Sequence, residues 1–284
     1  METLLCCCRC ALIGVSLLVP AIAGAQIQVD AGLEPTEQTA VLAERVQQTL
    51  TLHPEFAALN VRITIGAGAL RQALMRDDAR PVIATYLTST DFQTIVDAAG
   101  RPQHVTAVFA NPDPRDQFAL ARAVLGEHAL IGVFNTRTAD LLLRPSIHDT
   151  IRTLMVRPGE DINSVLRQVG SMDAILVLPD GVLTRDNIHH AVRTLYGRRV
   201  VLIGHSAMLT RVGSLASVYV SAESIATAVA DVLSHYAATR ELMAPVFVDD
   251  IEVAVNARLA RSLNLVLPPT STLVRAVREG RQRP

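Results

Sequence analysis

The sequence predicts an α/β protein of two lobes, each a parallel sheet covered by helices on both faces. Three observations carry this. Short Val/Ile/Leu runs alternate with stretches of helical period along most of the chain. The runs are continuously apolar rather than alternating, the mark of strands buried on both faces. Finally, the strand–helix units are too many for one compact sheet in a chain of 284 residues.

The elements follow in order. Val61–Ile65 reads as a strand, with a helix at Ala69–Arg76. Pro81–Leu87 is the next strand, and the helix Asp91–Ala99 takes Thr90 or Asp91 as its N-cap. Val105–Ala110 leads through Asn111-Pro112-Asp113-Pro114 into the helix Arg115–Leu125. Ala129–Phe134 precedes a helical Thr138–Leu142, and a further helix covers Ile162–Val169. Ala174–Leu178 leads into the helix Asp186–Tyr196, and Val200–Ile203 ends at Gly204-His205-Ser206. Val218-Tyr219-Val220 precedes the helix Ala222–Tyr236. Phe247–Leu267 holds a strand, the helix Val255–Leu263 and an apolar end; Pro268-Pro269 stops it, and a short Arg-rich helix follows. The division between lobes is expected near Glu127-His128. No Gly/Ser-rich linker marks it, which points to a structured hinge rather than a tether.

The first residues speak of location. Arg9 precedes the apolar run Ala11–Val19, Pro20 breaks it, and Ala23-Gly24-Ala25 offers the small-x-small pattern of signal peptidase. This reads as a secretory signal peptide (residues 1–25) cleaved after Ala25, giving a periplasmic protein. Cys6, Cys7, Cys8 and Cys10 all lie within it, so the exported chain needs no disulfide framework. A lipoprotein anchor requires a cysteine just after the apolar run, whereas Cys10 precedes it.

Composition narrows the function classes. The formal net charge of −1 provides no global basic field for nucleic acid. Trp is absent, and six Phe and four Tyr leave few aromatic faces for stacking on a sugar or an indole. No cofactor and no metal is expected. His189 and His190 are adjacent on a helix and point about 100° apart. Gly66-Ala67-Gly68 stands where a dinucleotide fingerprint would, but Arg71 occupies the place of its third glycine.

Val201–Met208 imitates the strand and elbow of a hydrolase around Ser206. Met208 stands where glycine is needed, and His235 and Asp231 share one helix instead of converging on the serine. A Ser206-based hydrolase is therefore the least favoured reading, and the protein is expected not to be an enzyme. Arg275, Arg278, Arg281 and Arg283 form a basic tail that reads as a solvated face, with membrane or partner docking as the alternative.

Small polar residues ending strands in both halves are the more telling constellation. Thr88 and Ser89 end a strand of the first half; Asn135, Asp180 and Ser206 end strands of the second. In open parallel sheets the ligand crevice lies beyond the carboxyl ends of the strands. Free N–H groups in the turn at Gly66 can hold an anionic atom. The expected ligand site is thus Gly66, Thr88, Ser89, Asn135, Asp180 and Ser206. It suits a small polar solute, an amino acid or another carboxylate, with Asn135 and Asp180 reading the end opposite the anion. Stacking would have to rest on Tyr86, Phe109, Phe134 or Tyr219.

Three blocks carry a resemblance. Val253-Ala254-Val255-Asn256-Ala257-Arg258-Leu259-Ala260-Arg261-Ser262-Leu263-Asn264-Leu265 resembles the closing motif of the ABC-transporter substrate-binding family that includes tryptophan- and tyrosine-type binding proteins. Asp173–Asp180 is similar to that family's acidic-ended strand, and Val200–Ser206 with Gly213-Ser214-Leu215-Ala216-Ser217 resembles a third block. Arg199 replaces a usual proline, and Asn264 replaces a glycine at a position where asparagine also enters the left-handed region. The resemblance implies a type I periplasmic-binding fold, two Rossmann-like lobes joined by a hinge. It places residues 26–127 in lobe 1, completed by 214–243, and 128–213 in lobe 2, completed by 244–284. It also implies a monomer that delivers its solute to an ABC permease; the alternative is a module reporting ligand occupancy to a sensor kinase or another envelope partner.

Overall fold

In the computed structural model the described residues are 27–32, 36–76, 79–136, 138–141, 150–157 and 159–282. The expected signal peptide, its cleavage point and all four cysteines lie outside them, as do Leu142 and Arg283.

Two sheets form. The first is parallel, in the order β1 (Gln28–Asp30), β2 (Arg62–Ile65), β3 (Val82–Thr85) and β4 (Val105–Val108). One of its faces packs Ile63, Ile65, Ile83 and Val108 against α1 (Glu37–Thr51) and α8 (Ala222–Thr239). The other packs Val82, Ala84 and Ala107 with Leu70 of α2 (Ala67–Leu74) and with Phe92 and Ile95 of α3 (Ser89–Ala98).

The second sheet has six strands, β10-β9-β8-β7-β5-β6, with only β10 (Glu252–Val255) antiparallel to its neighbour β9 (Ala216–Tyr219). The others are β5 (Ile131–Phe134), β6 (Ile151–Leu154), β7 (Ala174–Leu176) and β8 (Val201–Gly204). One face meets α4 (Pro114–Leu125), α9 (Ala257–Ser262) and α10 (Thr270–Gln282) through Phe118, Leu120, Ala260, Leu273 and Val277. The other meets α5 (Ile162–Arg167), α6 (Ile188–Tyr196) and α7 (Ala207–Val212) through Val165, Leu166, Ile188, Leu195 and Leu209. Two lobes with largely parallel sheets are therefore present, as the apolar runs predict.

The lobe boundaries need correction. α4 belongs to the six-stranded sheet, since Phe118, Leu120 and Ala121 sit in that core. The first crossing thus lies at residues 109–113, not at Glu127-His128. Asn111-Pro112-Asp113-Pro114 forces an extended passage, and Asp113 starts α4 by accepting from Arg115 N at 2.9 Å. β9 pairs with β8 and β10, so the chain returns to the first lobe after Tyr219 rather than at Ser214. It leaves again after Val248: Val246 bridges Val108 of the first sheet, and Val248 packs in that lobe's core.

Other differences are local. α3 starts at Ser89 because Thr88, not Thr90 or Asp91, is the N-cap. Thr88 Oγ1 accepts from Asp91 N at 3.0 Å and donates to the Asp91 carboxylate at 2.8 Å. Thr88→Ala is expected to lower stability by about 1 kcal/mol in urea unfolding, the usual worth of a hydroxyl cap. The helix expected at Thr138–Leu142 is a 3₁₀ turn at Ala139–Leu141. β1, α1, β6 and α7 are elements that the sequence pattern does not announce. Asn264 does take a left-handed conformation, with φ +58°.

Candidate functional site

One hydrogen bond links the carboxyl end of the first sheet to that of the second. Thr90, in the first turn of α3, hydrogen-bonds through Oγ1 to Oγ1 of Thr138, which follows β5, at 2.5 Å. The loops expected to hold the ligand all hang from one of these two edges.

On the first lobe, Gly66 ends β2 and opens α2 with φ +91°, a conformation that favours glycine. Its own N–H donates to Thr85 O at 2.8 Å, so the N–H groups left to a ligand are those of the following residues. No side chain caps this helix start. Thr88 is occupied as the α3 cap. Ser89 N donates to Oδ1 of the buried Asn111 at 3.1 Å, which ties α3 to the first crossing.

On the second lobe, Asn135 is exposed, and its Oδ1 accepts from Val156 N at 2.5 Å. Asp180 is partly buried in the turn Pro179-Asp180-Gly181; Thr136 Oγ1 donates to one carboxylate oxygen and Val182 N to the other, each at 3.0 Å. Burial pushes the Asp180 carboxyl above its ordinary value, opposed by these two donors. Ser206 caps α7, its Oγ accepting from Leu209 N at 3.3 Å. Asp231 and His235 are exposed on α8, which packs against the first lobe's sheet. The geometry therefore gives Ser206 a capping role.

The aromatic candidates are committed elsewhere. Phe134 and Phe109 are buried in separate cores. Tyr86 OH donates to Gln38 at 2.5 Å, and Tyr219 OH to Glu252 at 2.8 Å.

Two residues of this edge escape a motif search. His205 follows β8, and its Nδ1 lies 2.8 Å from the Val177 carbonyl. A carbonyl only accepts, so Nδ1 carries the proton of the neutral ring. Gln117 of α4 is fully buried, and its Nε2 donates to the same carbonyl at 3.0 Å and to Ile203 O at 3.3 Å. The available signal was a polar residue on a helix face otherwise occupied by Phe118, Leu120 and Ala121.

Burial pushes His205 below its ordinary value of 6.5, only partly offset by the Val177 carbonyl. The unfolded chain therefore takes up a proton between pH 6.5 and the lowered folded value while the native state does not. Stability from this group is complete above pH 6.5 and is lost as pH falls through that window. His205→Asn is expected to flatten this part of the stability–pH curve, read by urea midpoints from pH 7.5 downward.

Two arginines of the tail are paired with carboxylates. Arg281 pairs with Asp116 and Asp249, and Arg278 with Asp250 at 2.8 Å. Asp250 also accepts from Ser224 Oγ of α8 at 2.8 Å. A groove of about 610 Å³ along this hinge is lined by Asp113, Arg115, Glu223, Asp249 and Arg281 among others. A second cavity of about 450 Å³ lies at the opposite end of the six-stranded sheet, by Glu127, His128, Asp173 and Arg199. Among the described residues no group of three or more His, Cys, Asp or Glu is placed to hold a metal ion. No described helix is long and apolar enough to cross a membrane.

No protein-family model matches the chain, and no curated protein matches it. Solved structures are similar. One is an ABC domain from Streptococcus pneumonia in complex with L-Trp, 16% identical, TM-score 0.53, covering 85% of each chain. A conserved domain protein from Vibrio cholerae is 17% identical over 83% of this chain and 82% of that one, TM-score 0.53. A ligand-free, open substrate-binding protein with adhesive properties from Clostridium difficile is 13% identical, TM-score 0.56, over 82% and 81%. At these identities the likeness speaks for the fold, and the two lobes, parallel sheets and crossings agree with it: the chain has the type I periplasmic-binding fold.

Proposed function

We propose that this protein captures a small polar solute between its lobes and delivers it to an ABC permease after export to the periplasm. The observation that carries the reading is the link between the two carboxyl ends at Thr90 and Thr138. A solute held there touches both lobes only when they close, and closure is driven by that difference in contact. The uncapped start of α2 supplies donors for an anionic end. On the second lobe Asn135 and Asp180 stand at the edge where a cationic or hydroxylic end would lie, with only the lone pairs left over from Val156 N, Val182 N and Thr136 Oγ1 to offer it. An amino acid combines both ends. The similarity to a domain bound to L-Trp and to a substrate-binding protein supports this class. With Phe134 and Phe109 buried, polar contacts rather than stacking set the selectivity.

Thermal-shift screening against the twenty L-amino acids, D-ribose and small carboxylates tests the reading. A solute at 100 times its dissociation constant adds about 2.7 kcal/mol of stability. A carboxylate-bearing solute is the expected hit; selective stabilisation by D-ribose alone would redirect the ligand class.

A further inference from the structure

We propose that His205 is a ligand-contacting residue whose Nε2 accepts a hydrogen bond from an N–H or O–H group of the solute, an inference that rests on the capture reading above. The residue follows β8 at the carboxyl edge, and the next strands in order are β7, which Asp180 follows, and β5, which Thr136 follows. Its Nδ1–H is fixed on the Val177 carbonyl, 2.8 Å away. The same carbonyl takes the buried Gln117 amide at 3.0 Å, so the ring is anchored on an acceptor that is itself held from α4.

With Nδ1 protonated, the neutral imidazole offers Nε2 as a lone pair and nothing else. Nε2 has no protein partner among the described residues. A polar atom fixed at this edge and left unpaired is matched by a donor of the ligand. A closed, dry cleft then discriminates strongly against solutes that lack that donor, because the lone pair would be buried unsatisfied. Asp180 cannot take this role as readily, since both of its oxygens already accept from Val182 N and Thr136. His205 thus selects for a solute with an ammonium, amide or hydroxyl at the end facing the second lobe.

The test combines spectroscopy on the unaltered sequence with two substitutions. Long-range ¹H–¹⁵N spectra of ¹⁵N-histidine-labelled full chain, first without added solute, should show His205 as the Nδ1–H tautomer. Saturation with the tightest binder among the twenty L-amino acids should shift its Nε2 resonance in the direction of an accepted hydrogen bond. His205→Asn keeps a donor near Val177 O but removes the distal acceptor; it should fold normally and bind that amino acid about 10- to 100-fold more weakly. His205→Gln can return an oxygen to the distal position and should recover part of the loss. An Nε2–H tautomer, an Nε2 resonance indifferent to a bound amino acid, or wild-type affinity in His205→Asn overturns the proposal while leaving capture intact. If none of the twenty amino acids binds the unaltered protein, the amino-acid reading fails first and His205 loses its role with it.

Discussion

Arg281→Ala is expected to destabilise the protein by about 3–5 kcal/mol, the usual consequence of stranding one partner of a buried ion pair. Asp116 on α4 has a fully buried carboxylate, and Arg281 on α10 forks onto both its oxygens while also reaching Asp249; the Arg281 side chain is itself only 18% exposed. Burial alone pushes the Asp116 carboxyl up, and Arg281 is the group that opposes this most. Removing the guanidinium leaves a buried carboxylate that must either stay charged without a partner or take up a proton. Urea unfolding at pH 7 measures the loss. The double variant Asp116→Leu/Arg281→Met removes both charges and should recover most of it, since a buried pair is often no better than an apolar replacement of similar volume. A loss below about 1 kcal/mol in Arg281→Ala would mean that water reaches Asp116 and that the tail is a surface feature after all.

The second large effect is Phe134→Ala, at about 3–5 kcal/mol. Phe134 ends β5 with no exposed surface and packs among Leu154, Val165, Ile175 and Val177. Truncation removes a large apolar side chain and leaves a cavity that strands on either side of β5 cannot collapse to fill. The consequence for function separates two roles for this residue. If Phe134 stacked on the solute, truncation would abolish capture in whatever protein remains folded. With the ring in the core, the folded fraction should bind its solute within a few-fold of the unaltered chain. Titrations at 10 °C, where the variant stays folded, distinguish the two.

The fold was largely legible because parallel strands buried on both faces leave unbroken Val/Ile/Leu runs. Ile131–Phe134 and Val201–Gly204 are buried at every position, and both read directly as strands. β6 did not, because its pattern is buried only at Ile151 and Leu154, as suits an edge strand. The lobe boundaries were misplaced for a different reason. A helix's own periodicity shows that it has an apolar face but not which sheet receives it, so α4 gave no sign that it follows the first crossing rather than preceding it. The turn Asn111-Pro112-Asp113-Pro114 held the missing information.

The sequence shows where the candidate residues stand more clearly than what they bond. Thr88, Ser89, Asn135, Asp180 and Ser206 do follow strands, but the presence of hydroxyls and carboxylates at strand ends says nothing of what they already bond. Thr88 and Ser206 cap helices, and Asp180 is engaged by its own turn. His205 was passed over because its significance lies in a backbone carbonyl on the adjacent strand, a partner no spacing rule reveals.

A solute that closes the lobes must shorten the distance between them. All four cysteines lie at residues 6–10, so protein produced from Gln26 onward carries none. Single cysteines introduced at the exposed Thr94 of α3 and Arg185 before α6 therefore accept spin labels without background. Pulsed electron–electron resonance on this pair should give a broad or longer distance distribution in the absence of solute. Saturation with the amino acid identified by thermal shift should narrow it to a single shorter distance. A distribution unchanged by a saturating, thermally stabilising amino acid would contradict capture by lobe closure.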